Sequence, residues 1–217
     1  MNNVLKAAKL DFSLVKPYWW NTLFVMLFPV VFSIMNKSLV YGVSFTMCFI
    51  GMTTSYTFSV SEKNGMDRLY GILPIPKKYM VLGRYLYNCA MGFSALLVSL
   101  IVYSIVLRAA FEIDVTLEDF ITSALTGLIM FTIYTVFSLP GYYKFGAIKG
   151  RFFMFVPMAG YIAVVIFASD LDLKSVPAIS AILSDPVIFT VAVLIVCVIA
   201  FALSIAVSVR ILQNKEV

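Results

Sequence analysis

Six stretches of the chain, at 18–35, 39–60, 85–107, 120–139, 152–168 and 187–209, contain no Asp, Glu, Lys or Arg. Each is close to the roughly 20 apolar residues that a helix needs to cross about 30 Å of hydrocarbon. With 62% hydrophobic residues in 217 and a mean hydropathy of +0.99, a water-soluble domain could not cover so much apolar surface. The pattern predicts an all-α, polytopic membrane protein with six transmembrane helices in one transmembrane domain over 1–217. Every charged residue is then expected in a tail or a connecting loop.

Charge sorting sets the orientation. Lys and Arg accumulate on the cytoplasmic side of membrane proteins. With both termini inside, all but three of the 16 Lys and Arg residues are cytoplasmic; the exceptions are Lys37, Arg108 and Lys174. Acidic residues lean the other way, with Glu112, Asp114, Glu118, Asp119, Asp170, Asp172 and Asp185 outside. The net charge of +5 is therefore membrane topology and not a nucleic-acid footprint. Cys48, Cys89 and Cys197 all fall within spans, where thiols behave as small apolar groups, so no disulfide framework is expected. The first apolar run is long and lacks a small-residue cleavage pattern near Ile34, Met35 and Asn36, and it reads as an uncleaved helix.

Residues 1–17 are patterned without being a span. On a helix, Val4, Leu5, Ala8, Phe12 and Val15 fall on one side and Lys6, Lys9, Ser13 and Lys16 on the other. That suits a helix lying at a membrane surface, and Tyr18, Trp19 and Trp20 follow as an interfacial belt. An elbow helix over 1–17 is expected, against the plainer reading of a basic tail that only fixes orientation. In the last outer connection, 169–186, the run SVPAISAILSDP is apolar enough to dip back toward the bilayer. It is also compatible with an ordinary surface loop. No internal repeat is evident.

Several chemistries lack their residues. There is no histidine, no carboxylate within a span and no G-x-x-x-x-G-K-[ST] phosphate loop. An enzyme is not expected, and Pro140–Gly141 reads as a helix-ending turn. Energy for uphill movement would have to enter through a partner. The spans hold neutral polarity instead, including Thr46, Thr53, Tyr56 and Thr57 in the second and Asn88 in the third. Such groups either bond preceding carbonyls and join helices or line a pathway for an amphipathic cargo.

The remaining feature is a polar segment between two apolar runs, SEKNGMDRLYGILPIPKKYMVLGR at 61–84. As a helix over 62–73 it places Met66, Leu69, Tyr70 and Leu73 on one stripe. Pro74 would end it. The stripe could rest on lipid or enter a groove on a soluble partner.

Glu62, Lys63, Asn64 and Gly65, then Leu69, then Leu73, Pro74, Ile75, Pro76, Lys77 and Lys78 resemble the stretch between the second and third spans of type-2 ABC exporter permeases. The likeness is greatest to a small bacterial branch that includes the phenol-soluble modulin exporter permeases. There an E-K-x-G segment is followed by L-P-x-x-K/R. The resemblance implies a half-transporter in a bacterial cell membrane that pairs with a second permease subunit, a homodimer or close paralogue. Each would dock a cytoplasmic coupling helix into a separate ATP-binding cassette ATPase subunit. Glu62, Lys63, Asn64, Gly65, Met66, Asp67, Arg68, Leu69 and Tyr70 would form the coupling segment, with Met66, Leu69 and Tyr70 as apolar anchors and Asp67 and Arg68 as polar clamps. ATP and Mg would bind the partner, and this chain would bind no cofactor. Amphipathic peptides or other membrane-active compounds would be the cargo. Two further readings stand beside it: the substrate-binding membrane subunit of a vitamin importer, and a non-transporting immunity or regulatory membrane protein.

Overall fold

The structure is a computed structural model and describes residues 3–66, 76–157, 159 and 186–214. Among these residues the regular structure is entirely helical. Helix α1 (Asn3–Val15) passes through a 3₁₀ turn (Lys16–Tyr18) into α2 (Trp19–Leu27) and α3 (Val30–Asn36). Then come α4 (Leu39–Lys63), α5 (Lys77–Phe111), α6 (Leu117–Gly150) and α7 (Pro186–Asn214). Residues 152–157 are also helical.

Four described segments are long and apolar enough to cross a membrane: Asn3–Asn36, Lys77–Phe111, Leu117–Gly150 and Val187–Asn214. Helix α4, the second expected span, is not among them. Its 25 residues are long enough, but Thr46, Thr53, Thr54, Ser55, Thr57 and Ser59 dilute its apolar character. It can carry them because it is the central helix, in contact with α1, α2, α3, α5 and α6. Of the fifth expected span, 152–168, only 152–157 and 159 are described.

The first expected span is two helices, interrupted at Phe28 and Pro29. The last carbonyls of a helix have no partner within it. That of Met26 accepts the Tyr103 hydroxyl of α5 at 2.5 Å, and the same hydroxyl lies 2.7 Å from Thr46 Oγ1. Around this knot Leu39, Val43, Met47, Leu96 and Leu107 form one apolar core.

Pro140 does not end the fourth span; α6 runs through it to Gly150. A proline lacks the N–H that would bond the carbonyl four residues earlier, here Val136. The Ser204 hydroxyl of α7 donates to that carbonyl at 3.0 Å. Ser204 and Ser208 also lie 2.5 and 3.0 Å from the Tyr85 hydroxyl of α5. A neighbouring hydroxyl thus replaces the missing donor, as membrane helices with internal proline require. Ser204→Ala leaves the Val136 carbonyl unpaired, and a loss of about 1 kcal/mol is expected. Thermal unfolding in detergent checks this; an unchanged midpoint would mean that α6 needs no such partner.

Helices α5 and α6 extend well past the apolar limits at 85–107 and 120–139. Lys77 to Tyr85 alone adds about 12 Å at 1.5 Å per residue. The two ends of the bundle differ in charge. At one end Lys37 lies over the Phe111 ring at 5.5 Å, the exposed pair Arg108–Asp114 spans 3.4 Å, and Thr116 with Asp119 forms a capping box that starts α6. At the other end gather α1, the end of α4, the start of α5 and the end of α6.

Candidate functional site

The basic end is built around the last turn of α4. Asn64 closes the helix with its N–H on the Val60 carbonyl at 3.1 Å, and Gly65 follows with φ +62°. An Asn–Gly pair with a left-handed glycine is a common helix stop. Glu62 and Lys63 therefore complete α4, and the break falls at 64–65, where the stripe argument had a new helix starting at Glu62. Met66 is half-buried just beyond the turn. Asp67, Arg68, Leu69 and Tyr70 lie outside the described residues.

Directly above this turn sits a buried ion pair. Arg84 of α5 is 7% exposed and Asp11 of α1 is 3% exposed. The Arg84 Nη2 donates to Asp11 Oδ1 at 3.2 Å and Nε to Oδ2 at 3.3 Å, a two-point fork that suits guanidinium geometry. Nη2 also donates to the Ser61 hydroxyl of α4 at 3.4 Å. The guanidinium lies 4.3 Å from the Phe58 ring centre and 5.7 Å from that of Tyr143. A desolvated cation gains from such aromatic faces. One turn further along α5, Asn88 donates to the Arg84 carbonyl at 3.0 Å and accepts from the Thr54 hydroxyl at 3.2 Å. Residues of α1, α4, α5 and α6 thus meet at one guanidinium.

The expectation that all charge lies in tails and loops does not hold at this end. Arg84 and Asp11 can lie inside packed helices because each neutralises the other, which offsets part of the cost of burial. The sequence carried a signal for this: Asp11 lies on the helical face of Val4, Ala7, Ala8 and Val15. That face is the one α1 turns toward the protein, while Leu5 and Phe12 remain 52% and 41% exposed. Helix α1 is therefore docked on α5 through a small-residue face, and only its flank is left for lipid. At the contact, a Cβ on Gly83 would lie 2.5 Å from Ala7 Cβ and 2.9 Å from the Ala8 nitrogen.

Glu62 makes a second link. Its carboxylate accepts the Ala147 N–H at 2.7 Å. Ala147 follows Gly146, where α6 breaks helical geometry at φ 77°, ψ −177°. The break frees the N–H groups of the turn that follows, and a carboxylate is a suitable acceptor for one of them. Beside this link, Phe58 stacks on Tyr142 and meets Tyr143 edge-on, both at 5.0 Å between ring centres.

The residues expected along a pathway separate into two groups. Thr46, Thr57 and Asn88 are buried within the chain. Thr46 donates to the Gly42 carbonyl at 2.9 Å and Thr57 to that of Thr54 at 2.9 Å. Thr53 and Tyr56 are half-buried, with Thr53 donating to the Ile50 carbonyl at 2.7 Å and Tyr56 stacked 5.8 Å from Tyr18. Backward bonds to preceding carbonyls recur at Ser99, Ser104, Ser123 and Thr132. Among the described residues, no group of three His, Cys, Asp or Glu side chains could hold a metal ion.

Comparison with known proteins adds one match. The sequence profile of the ABC-2 family transporter proteins fits residues 8–213. Searches of curated proteins and of solved structures return no match. The matched region runs from within α1 through the described helices to the last turn of α7, and the chain belongs to the ABC-2 family of transporter membrane proteins.

Proposed function

We propose that this chain is the permease subunit of an ATP-binding cassette exporter. Membership of the ABC-2 family across 8–213 is the observation that carries the reading. It accords with the absence of a phosphate loop from the sequence, so that ATP and Mg belong to separate ATPase subunits. In this reading six spans and two cytoplasmic termini place the basic end of the bundle inside a bacterial plasma membrane. Two permease subunits pair around the pathway. The turn at Asn64 and Gly65 delivers the coupling segment, Glu62 to Tyr70, to a cleft on the ATPase, and Met66, Leu69 and Tyr70 supply its apolar contacts. Of the candidate pathway residues, Thr53 and Tyr56 keep partial exposure and would meet cargo. The neutral, aromatic-rich spans suit amphipathic peptides, and the E-K-x-G and L-P-x-x-K segments point to the branch of the phenol-soluble modulin exporters.

The test is co-expression with a cassette ATPase encoded beside the gene, purification in detergent, and an ATPase assay. A stable complex is expected. Met66→Asp with Leu69→Asp is expected to reduce the retained ATPase at least tenfold, because two carboxylates would have to be desolvated in an apolar cleft. If no complex forms, or if the double variant keeps it, the exporter reading is lost.

A further inference from the structure

We propose that Glu62 ties the inner end of α4 to a hinge at Gly146 in α6, so that the last turn of α4 and the turn from Ala147 to Gly150 move as one body. Three observations converge. Gly146 holds φ 77° and ψ −177°, a region that essentially only glycine occupies. The helix is therefore interrupted there by design of the backbone, and the turn from Ala147 to Gly150 has lost its continuous ladder. The Glu62 carboxylate takes the first N–H after the break at 2.7 Å. It also lies against the glycine itself, 3.5 Å from where a Cβ would stand.

The tie is backed on both sides. On α4, the residue before Glu62 is Ser61, whose hydroxyl accepts from Arg84 at 3.4 Å, so the last turn of α4 is held to α5 and α1 as well. On α6, Ala147 is 4% exposed and belongs to the same apolar cluster as Phe58, Tyr142 and Tyr143. A pull on the Asn64–Gly65 turn is passed to α6 beyond Gly146 through one charge-assisted bond. The glycine lets that turn follow without bending the rest of α6. Glu62 is thus a positioning residue with a defined output, the orientation of 147–151. Its use in ATP coupling rests on the permease reading above.

The experiment places spin labels at Lys63→Cys and Lys149→Cys, both exposed positions, with Cys48, Cys89 and Cys197 replaced by Ala. Distances are measured in lipid nanodiscs, alone and with the cassette ATPase and Mg-ATP. A single narrow distribution is expected that is the same in both states. Glu62→Ala is expected to at least double its width, and Glu62→Gln, whose amide oxygen still accepts the N–H, to restore it. Hydrogen exchange at Ala147 gives an independent reading: at least tenfold faster in Glu62→Ala and near wild type in Glu62→Gln. A Glu62→Ala distribution as narrow as wild type overturns the proposal, as does unchanged exchange. Should Glu62→Ala not fold, wild-type labels that separate on adding ATPase and Mg-ATP overturn it equally, and labels that keep their distance support it. Failure of the ATPase to bind overturns the permease reading instead and leaves the tie to be judged on the isolated protein.

Discussion

Arg84→Met is expected to destabilise the detergent-solubilised protein by about 3–5 kcal/mol, because it leaves Asp11 buried without a counter-charge. The side chains of the pair are 9% and 5% exposed, so water offers little compensation. Arg84→Lys keeps the charge but loses the fork to both carboxylate oxygens and the guanidinium contact with the Phe58 ring, and a smaller loss is expected. The informative comparison is Asp11→Leu combined with Arg84→Met. An apolar pair of similar volume is often as stable as a buried ion pair, so the double change is expected to recover most of what Arg84→Met removes. Thermal unfolding of the wild type, Arg84→Met, Asp11→Leu and the double variant measures the coupling directly. A loss below about 0.5 kcal/mol for Arg84→Met, the range of ordinary surface changes, would mean that the pair is solvated in the membrane-bound protein.

Gly83→Val is expected to undo the seat of α1. The obstacles to a Cβ there include the Ala8 nitrogen at 2.9 Å and the Val4 carbonyl oxygen at 3.0 Å, which are backbone atoms and cannot rotate away. Overpacking of this kind costs about 1–3 kcal/mol when the helices remain together. Here the alternative is open to α1, which has Leu5 and Phe12 exposed for lipid and Lys6 and Lys9 exposed for headgroups. The helix is expected to leave α5, pulling Asp11 from Arg84 and letting the backbone at the exposed Lys6 and Lys9 unwind for trypsin. Faster tryptic cleavage within 3–15 is the readout. Gly83→Ala with Ala7→Gly removes the nearest clash, at 2.5 Å, and is expected to restore part of the protection. Cleavage of Gly83→Val at the wild-type rate would show that α1 is not held at this contact.

These two results bear on how far the sequence could be read. The apolar stretches at 39–60, 85–107, 120–139 and 187–209 each fall within one observed helix, since hydrocarbon and a packed interior both demand that every backbone N–H and C=O be bonded internally. Bonding of hydroxyls to preceding carbonyls, as at Thr46 and Thr57, was one of the two readings the sequence left open, because that geometry is local. The helix ends were not legible. An apolar limit marks where lipid stops, and α5 begins eight residues earlier, at Lys77, because α1 is there to pack against it. Pro140 looked like a stop on local grounds, and the hydroxyl that lets α6 continue comes from Ser204 on another helix.

By itself the sequence determined that the chain is helical and membrane-embedded, which ends of its helices are basic, and that a polar stretch from Glu62 to Lys78 lies between two apolar runs. Those properties follow from composition and period, which act at the scale of one helix. Only the tertiary structure decided that Asp11 and Arg84, 73 residues apart, form one buried pair, and that Glu62 reaches the N–H of Ala147, 85 residues away. Both depend on the approach of helices whose distance in space is unrelated to their distance along the chain. A charge can enter such an interior only when the fold brings it its partner.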